Sequence, residues 1–282
     1  MTDGWTGVPL TLRTDPDHGG RWTSLRTADR EWLWTNPDPA VAGARLGVAP
    51  GAPFVDAGGA EECFPTVRGK PDHGDAWTRR WQSAGATDCV RVEGSGTLTR
   101  RATPADDALR LDYTIEGTPG TRFLHAVHVL LEVGPRARLE VPGTQVAVVL
   151  DPAPVRQPWP AGGLDRLGPD DGTAVCVLLP GCRTATVIDG DHALRLEWDA
   201  PAQPDSCSLL LWRNLRGWPS GRPYRSIGVE PMVGRAADLA AAGPDDAARL
   251  DVPGRFGWTL RLTALRRTAA HSSIHAREEA LR

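Results

Sequence analysis

The chain lacks several common signals, and each absence excludes something. No CxxC pair occurs among its five cysteines (63, 89, 176, 182 and 207). Their odd number and scatter argue against a zinc site or a disulfide framework and for reduced, buried thiols. No apolar run reaches the roughly 18–20 residues that a membrane helix needs. No basic block appears, and the net charge is −3. Nucleic acid and anionic membrane surfaces are therefore not expected as partners. The start, Met1-Thr2-Asp3-Gly4-Trp5, lacks the basic and then apolar segments of a secretory signal. A cytoplasmic protein is expected. Neither a phosphate-cradling glycine loop nor a Gly-x-Ser-x-Gly elbow is present.

Phenylalanine and tyrosine are scarce too, at four and two, against eleven tryptophans. Trp is large and amphipathic, and it stacks on flat apolar faces such as those of a sugar ring. Hydrophobic and charged fractions of 40% and 24% suit a globular protein.

β-signals dominate what is there. Cys89–Glu93 alternates, Gly94-Ser95-Gly96 turns, and Thr97–Arg100 follows, which predicts a hairpin. Leu109–Ile115 alternates at period two. Phe123–Val133 is more continuously apolar, as a strand buried on both faces should be. Further strands are predicted at Gln145–Leu150, Ala174–Leu179, Ala185–Ile188, Ala193–Trp198, Ser208–Trp212, Ser226–Val229 and Trp258–Leu265. The one fair helix candidate is Ala236–Ala242, with a glycine just after it. About a dozen short strands between Gly, Pro and Asp turns predict an all-β sandwich or barrel. Glycines and prolines fall between strands, not in one linker. Residues 1–270 therefore read as one domain, and 271–282 as a polar tail.

Four places could carry chemistry. In Pro71-Asp72-His73-Gly74, followed by Trp77, a histidine sits in a loop, where binding residues concentrate. A surface His beside an acid explains it equally well. His125 and His128 share a predicted strand and, three apart, face opposite sides. Either could be a satisfied core histidine. Glu230 ends the apolar run Ile227–Val229 and precedes Pro231. Desolvation there suits a base working near neutrality, and a salt bridge to Arg222 or Arg225 is the alternative. Glu61 and Glu62 are adjacent, so on an extended chain only one can face a site.

Taken together and in order, these segments resemble the galactose mutarotase-like superfamily, the aldose 1-epimerases and their relatives, in its bacterial branch. Gly58–Thr66, with Glu61-Glu62-Cys63-Phe64-Pro65, resembles the Gly-Trp-Asp-Glu-Cys-Phe-Pro-Thr type of segment of that branch. Asp72-His73-Gly74 is similar to the family's first site histidine. Leu124–Leu131 resembles the strand of the second and selects His128 over His125. Leu211–Asn214 with Gly217-Trp218-Pro219 comes next, and Ile227–Gly234 with Asp238-Leu239 resembles the segment that carries the catalytic glutamate. Departures are Ala60 in place of the usual Trp, and no Asn-His-Tyr-Phe-Asn or Leu-His-Gly-Gly segment.

The resemblance implies a large antiparallel β-supersandwich and interconversion of sugar anomers. It implies Glu230 as the base at O1, His128 as the acid at the ring oxygen and His73 as the group that positions the sugar. Asp72, Trp77, Glu62 and Trp212 follow as substrate-binding residues. The partner is a small-molecule sugar, needing no metal or organic cofactor, bound by a monomer or homodimer. His128 and Glu230 are expected on opposite sides of a space one sugar ring wide. A sugar-binding protein without catalysis, or a polysaccharide lyase on the same fold, is the competing expectation.

Overall fold

The computed structural model describes residues 4–268. The expected tail 271–282 lies outside the described residues. Within them, two nine-stranded antiparallel sheets dominate. One sheet runs Arg138–Glu140, Thr184–Asp189, His192–Asp199, Arg255–Arg267, Ala108–Glu116, Gly96–Ala105, Thr87–Val92 and Gln82–Ala84, with Trp5–Val8 also on Arg255–Arg267. The other runs Val155–Pro158, Val146–Val149, Ala174–Pro180, Cys207–Trp218, Tyr224–Val233, His125–Leu131, Ala60–Cys63, Arg21–Arg26 and Thr11–Asp15.

Alternation explains how the second sheet serves both a core and a site. Val127, Val129, Ile227, Val229, Leu209 and Leu211 point into a core shared with Leu111, Ile115, Leu196, Trp258 and Leu260 of the first sheet. Their neighbours Ala126, Leu210, Met232, Cys63 and Cys176 point the other way and form a smaller apolar cluster. The site is built on that outer face. His125–Leu131, buried along its whole length, fits the prediction of a strand covered on both sides.

The predicted strands are present. The helix is not where its signals were sought. Residues 236–242 form turns. Asp238 there turns its side chain back onto its own backbone, with Oδ1 accepting from Ala240 N–H at 2.9 Å. Such local bonding competes with helix formation. Among the described residues the α-helix is Pro39–Leu46, with Asp38 Oδ1 accepting from Ala40 N–H at 2.9 Å and proline in its first turn.

Candidate functional site

His128 and Glu230 sit on neighbouring antiparallel strands. The register pairs Ala126 with Met232 and Leu130 with Gly228, which sets His128 directly opposite Glu230. Side chains opposite each other leave the sheet on the same face. His128 Nδ1 lies 2.9 Å from Glu230 Oε1, with side-chain exposures of 8% and 1%. Gly228 leaves room for this pair. A Cβ there would stand 2.6 Å from Glu230 Oε1 and 3.0 Å from Trp212 Cβ. The second carboxylate oxygen, Glu230 Oε2, is buried without a hydrogen-bond partner.

His73 reaches the same place from a turn. Its φ is 61° and that of Gly74 is 67°, so two successive residues are left-handed. Histidine tolerates this region better than most side chains. The turn is pinned by His73 N–H to the Val67 carbonyl at 2.9 Å and Gly74 N–H to the Pro71 carbonyl at 3.0 Å. Gly74 is required by close approach as well, since a Cβ would meet the Phe64 carbonyl oxygen at 2.2 Å. The His73 ring then lies 4.9 Å from the His128 ring, nearly edge-on. Phe54 stacks on it at 3.6 Å. Asp72 Oδ1 is 3.2 Å from His73 Nδ1, yet that nitrogen has no hydrogen-bond partner. The contact is close but poorly aligned for a hydrogen bond.

Electrostatics separates the two histidines. Burial depresses His73 below the ordinary imidazole value, and the nearby His128 adds to this against the pull of Asp72. Burial opposes the charged form of His128 too. There the Glu230 carboxylate, by charge and hydrogen bond, prevails and raises it above the ordinary value. The surroundings thus favour the charged form of His128 and the neutral form of His73.

These groups line a cleft of about 220 Å³ together with Asp72, Trp212, Trp218, Phe54, Asp56, Arg68 and Cys176. Trp212 is half-buried and donates its indole N–H to Ser226 Oγ at 3.0 Å. Trp218 stands edge-on to it at 6.0 Å. A register shift between Leu215 and Trp218 leaves Arg216 and Gly217 out of the ladder before Trp218 pairs with Tyr224. Asn214 holds the irregular segment, its Oδ1 accepting from Gly217 and Trp218 N–H at 3.0 Å each. Cys176 is inert, pushed up to about 12 by burial and by Glu230.

The structure brings together His73, Asp72, His128, Trp212 and Glu230 of the residues singled out in the sequence. It corrects three expectations. Glu62 is fully buried on the core face. Arg100 donates to its Oε1 at 2.7 Å, His125 Nε2 lies 3.0 Å from its Oε2, and Tyr113 donates at 3.1 Å. It cannot reach a sugar. Glu61 takes the site face instead, opposite His128, but a buried Arg45 occupies both its oxygens at 2.7 and 2.9 Å. Trp77 is also fully buried, its indole N–H donated to the Gly74 carbonyl at 2.9 Å. It props the His73 turn from behind and presents no face to the cleft. The third correction concerns spacing, since His128 and Glu230 touch rather than flank a gap. O1 and the ring oxygen are both bonded to C1, so an acid and a base serving them belong side by side.

Sequence reasoning missed Phe54, Asp56, Arg68 and Cys176, which lack distinctive patterning. Trp218 was visible in the Gly217-Trp218-Pro219 segment without an assigned role.

No protein-family model and no curated protein sequence matches the chain. Solved structures do. The Slr1438 protein of Synechocystis sp. PCC 6803 superposes with a TM-score of 0.71 at 14% identity, over 95% of this chain and 96% of that one. A candidate aldose 1-epimerase of Escherichia coli K12 gives 0.67 at 17%, covering 93% and 99%. A galactose mutarotase related enzyme of Lactobacillus acidophilus gives 0.64 at 13%, covering 94% and 97%. With its paired antiparallel sheets and end-to-end coverage by these structures, the chain has the fold of the galactose mutarotase-like superfamily.

Proposed function

We propose that the protein is a mutarotase that interconverts the α and β anomers of a hexose or related sugar. The observation that carries this reading is the His128–Glu230 pair at 2.9 Å, placed in an open cleft beside a neutral His73. Glu230 takes the proton from O1–H, and that electron pair becomes the second bond of the C1 carbonyl. The C1–O5 bond breaks with its electrons on O5, which receives the proton of His128. The open-chain aldehyde rotates about C1–C2. O5–H then attacks the other face of C1, returning its proton to His128, while O1 recovers the proton held by Glu230. Protons and electrons balance over the cycle, and both groups end as they began.

This demands an acid and a base that exchange roles at one pH, which a coupled imidazolium–carboxylate pair provides. His73 positions the sugar, and Asp72 orients the His73 ring. Trp212 and Trp218 offer faces for the ring. Unpaired thiols at all five cysteines favour a reducing, cytoplasmic setting. Among the described residues no helix is long and apolar enough to cross a membrane.

Exchange between anomers, followed by NMR across a panel of aldoses, tests the proposal. Sugar-dependent quenching of tryptophan fluorescence with no acceleration of exchange would instead mark a binding protein on this fold.

A further inference from the structure

Asp56 is the one acidic residue of the cleft outside the sequence motifs. It precedes Ala57, which begins the run of buried residues entering the strand Ala60–Cys63. One oxygen is fixed, as Tyr224 O–H donates to Asp56 Oδ2 at 2.6 Å. Tyr224 is itself held between aromatic rings, stacked on Trp34 at 5.5 Å and edge-on to Trp218 at 5.7 Å. The other oxygen, Oδ1, is shielded from bulk solvent and has no hydrogen-bond partner. An unpartnered carboxylate oxygen costs free energy, regained when a small turn of the side chain brings it to a donor. Asp56 and Trp218 both line the cleft and both contact Tyr224.

We propose that Asp56 is a specificity residue whose Oδ1 accepts a hydrogen bond from one hydroxyl of an uncharged sugar. The inference rests on the sugar-isomerase reading of this cleft. The charge of the lining supports the uncharged class. Three carboxylates, Asp56, Asp72 and Glu230, face it together with one arginine, Arg68, and with His128, whose charge is paired with Glu230. That guanidinium is already forked onto Asp151 at 3.0 and 3.2 Å. A phosphorylated sugar would meet more negative charge than free positive charge. Asp56 also helps to raise His128, so its field reaches the reacting end of the cleft.

The test is a cycle of variants against ligands. Anomer-exchange kinetics and fluorescence-detected binding are measured for the wild type, Asp56→Asn and Tyr224→Phe. The ligands are one accepted aldose, its series of monodeoxy analogues and its 6-phosphate. Asparagine keeps the size and half the acceptor capacity, so folding is retained and checked by thermal melting. The proposal predicts a KM raised about tenfold or more in Asp56→Asn for the parent sugar, since a hydrogen bond to a charged group contributes about 1.5–3 kcal/mol. For a single deoxy analogue the wild type and Asp56→Asn would bind alike, which identifies the hydroxyl. Tyr224→Phe frees Oδ2 and should change that preference rather than abolish binding. The 6-phosphate should bind more weakly than its parent. An Asp56→Asn penalty equal for every analogue would overturn the assignment, as would no penalty at all or tighter binding of the phosphate. If the wild type neither binds nor converts any sugar, the isomerase reading fails and this inference falls with it. If the wild type converts sugars and the cycle shows no coupling, only the Asp56 assignment is lost.

Discussion

His128 and Glu230 face each other across two antiparallel strands with Nδ1 and Oε1 2.9 Å apart. Each is nearly sealed from solvent, and each is held by the sheet, not by a loop. Rigid elements place reacting groups with more precision than loops do. The pair owes its geometry to the register of its strands, and its protonation to its own closeness.

That dependence gives a first prediction. Removing the charge of Glu230 leaves burial as the dominant influence on His128. In Glu230→Gln the His128 pKa should fall from above the ordinary imidazole value to below it. A ¹⁵N–¹H NMR titration of the ring nitrogens reads this directly. An unmoved titration would show that the carboxylate is not what holds the proton.

A second prediction concerns pH. The folded-state value of His128 is raised. Its pairing therefore stabilises the fold fully below the ordinary histidine value and is lost as pH rises through the raised one. The proton donor disappears over the same window, so exchange should decline on the alkaline side. His73, depressed by burial, is already neutral there. His73→Asn should raise KM without moving that limb, as pH–rate profiles of both proteins would report.

Gly228 carries the third. Gly228→Ala sets a methyl 2.6 Å from Glu230 Oε1 and must displace either the carboxylate or Trp212. Overpacking of this kind costs typically about 1–3 kcal/mol. Exchange should drop by about tenfold or more, because misplacement at this scale disrupts reacting geometry. Denaturant melts alongside steady-state kinetics separate the two effects.

A fourth prediction separates framework from site. Burial pushes Glu62 up, but His125 and Arg100 hold it below the ordinary carboxylate value. Its contribution is thus present above that ordinary value and lost as pH falls through the lowered one. Glu62→Ala leaves the fully buried Arg100 with Asp88, at 2.8 Å, as its remaining carboxylate and leaves His125 without its acid, and should destabilise by about 1–3 kcal/mol. Urea unfolding measures this. Whatever fraction remains folded should keep the wild-type KM, since Glu62 faces the core.

Much of this was legible in the chain because strands write their burial at period two. Leu109–Ile115 alternates, and its odd positions fill the core. The opposite faces of His125 and His128 follow from the same rule. Family-like order then selected His128, His73 and Glu230. The adjacent pair Glu61-Glu62 shows where local reading stops. Alternation says that one points each way, but only Arg45 from the helix and Arg100 from the facing sheet decide that neither is free. Trp77 failed for a similar reason, since nothing near it in sequence reveals that its indole closes the His73 turn. Pro39–Leu46 carried a cap in Asp38-Pro39, while its glycine and small residues hid the helix. Asp56 and Phe54 entered the cleft through long-range contacts that no local pattern encodes.

The central claim is that His128 and Glu230 act together as acid and base on an anomeric centre. Exchange spectroscopy on a panel of uncharged aldoses, with wild type and Glu230→Gln at equal concentration, tests it most directly. The account predicts that the wild type accelerates exchange of at least one sugar. It predicts a loss of about 10²–10⁴-fold in Glu230→Gln, the usual contribution of a positioned acid or base, with sugar binding retained. Equal rates in the two proteins, at the uncatalysed value for every sugar, would contradict it.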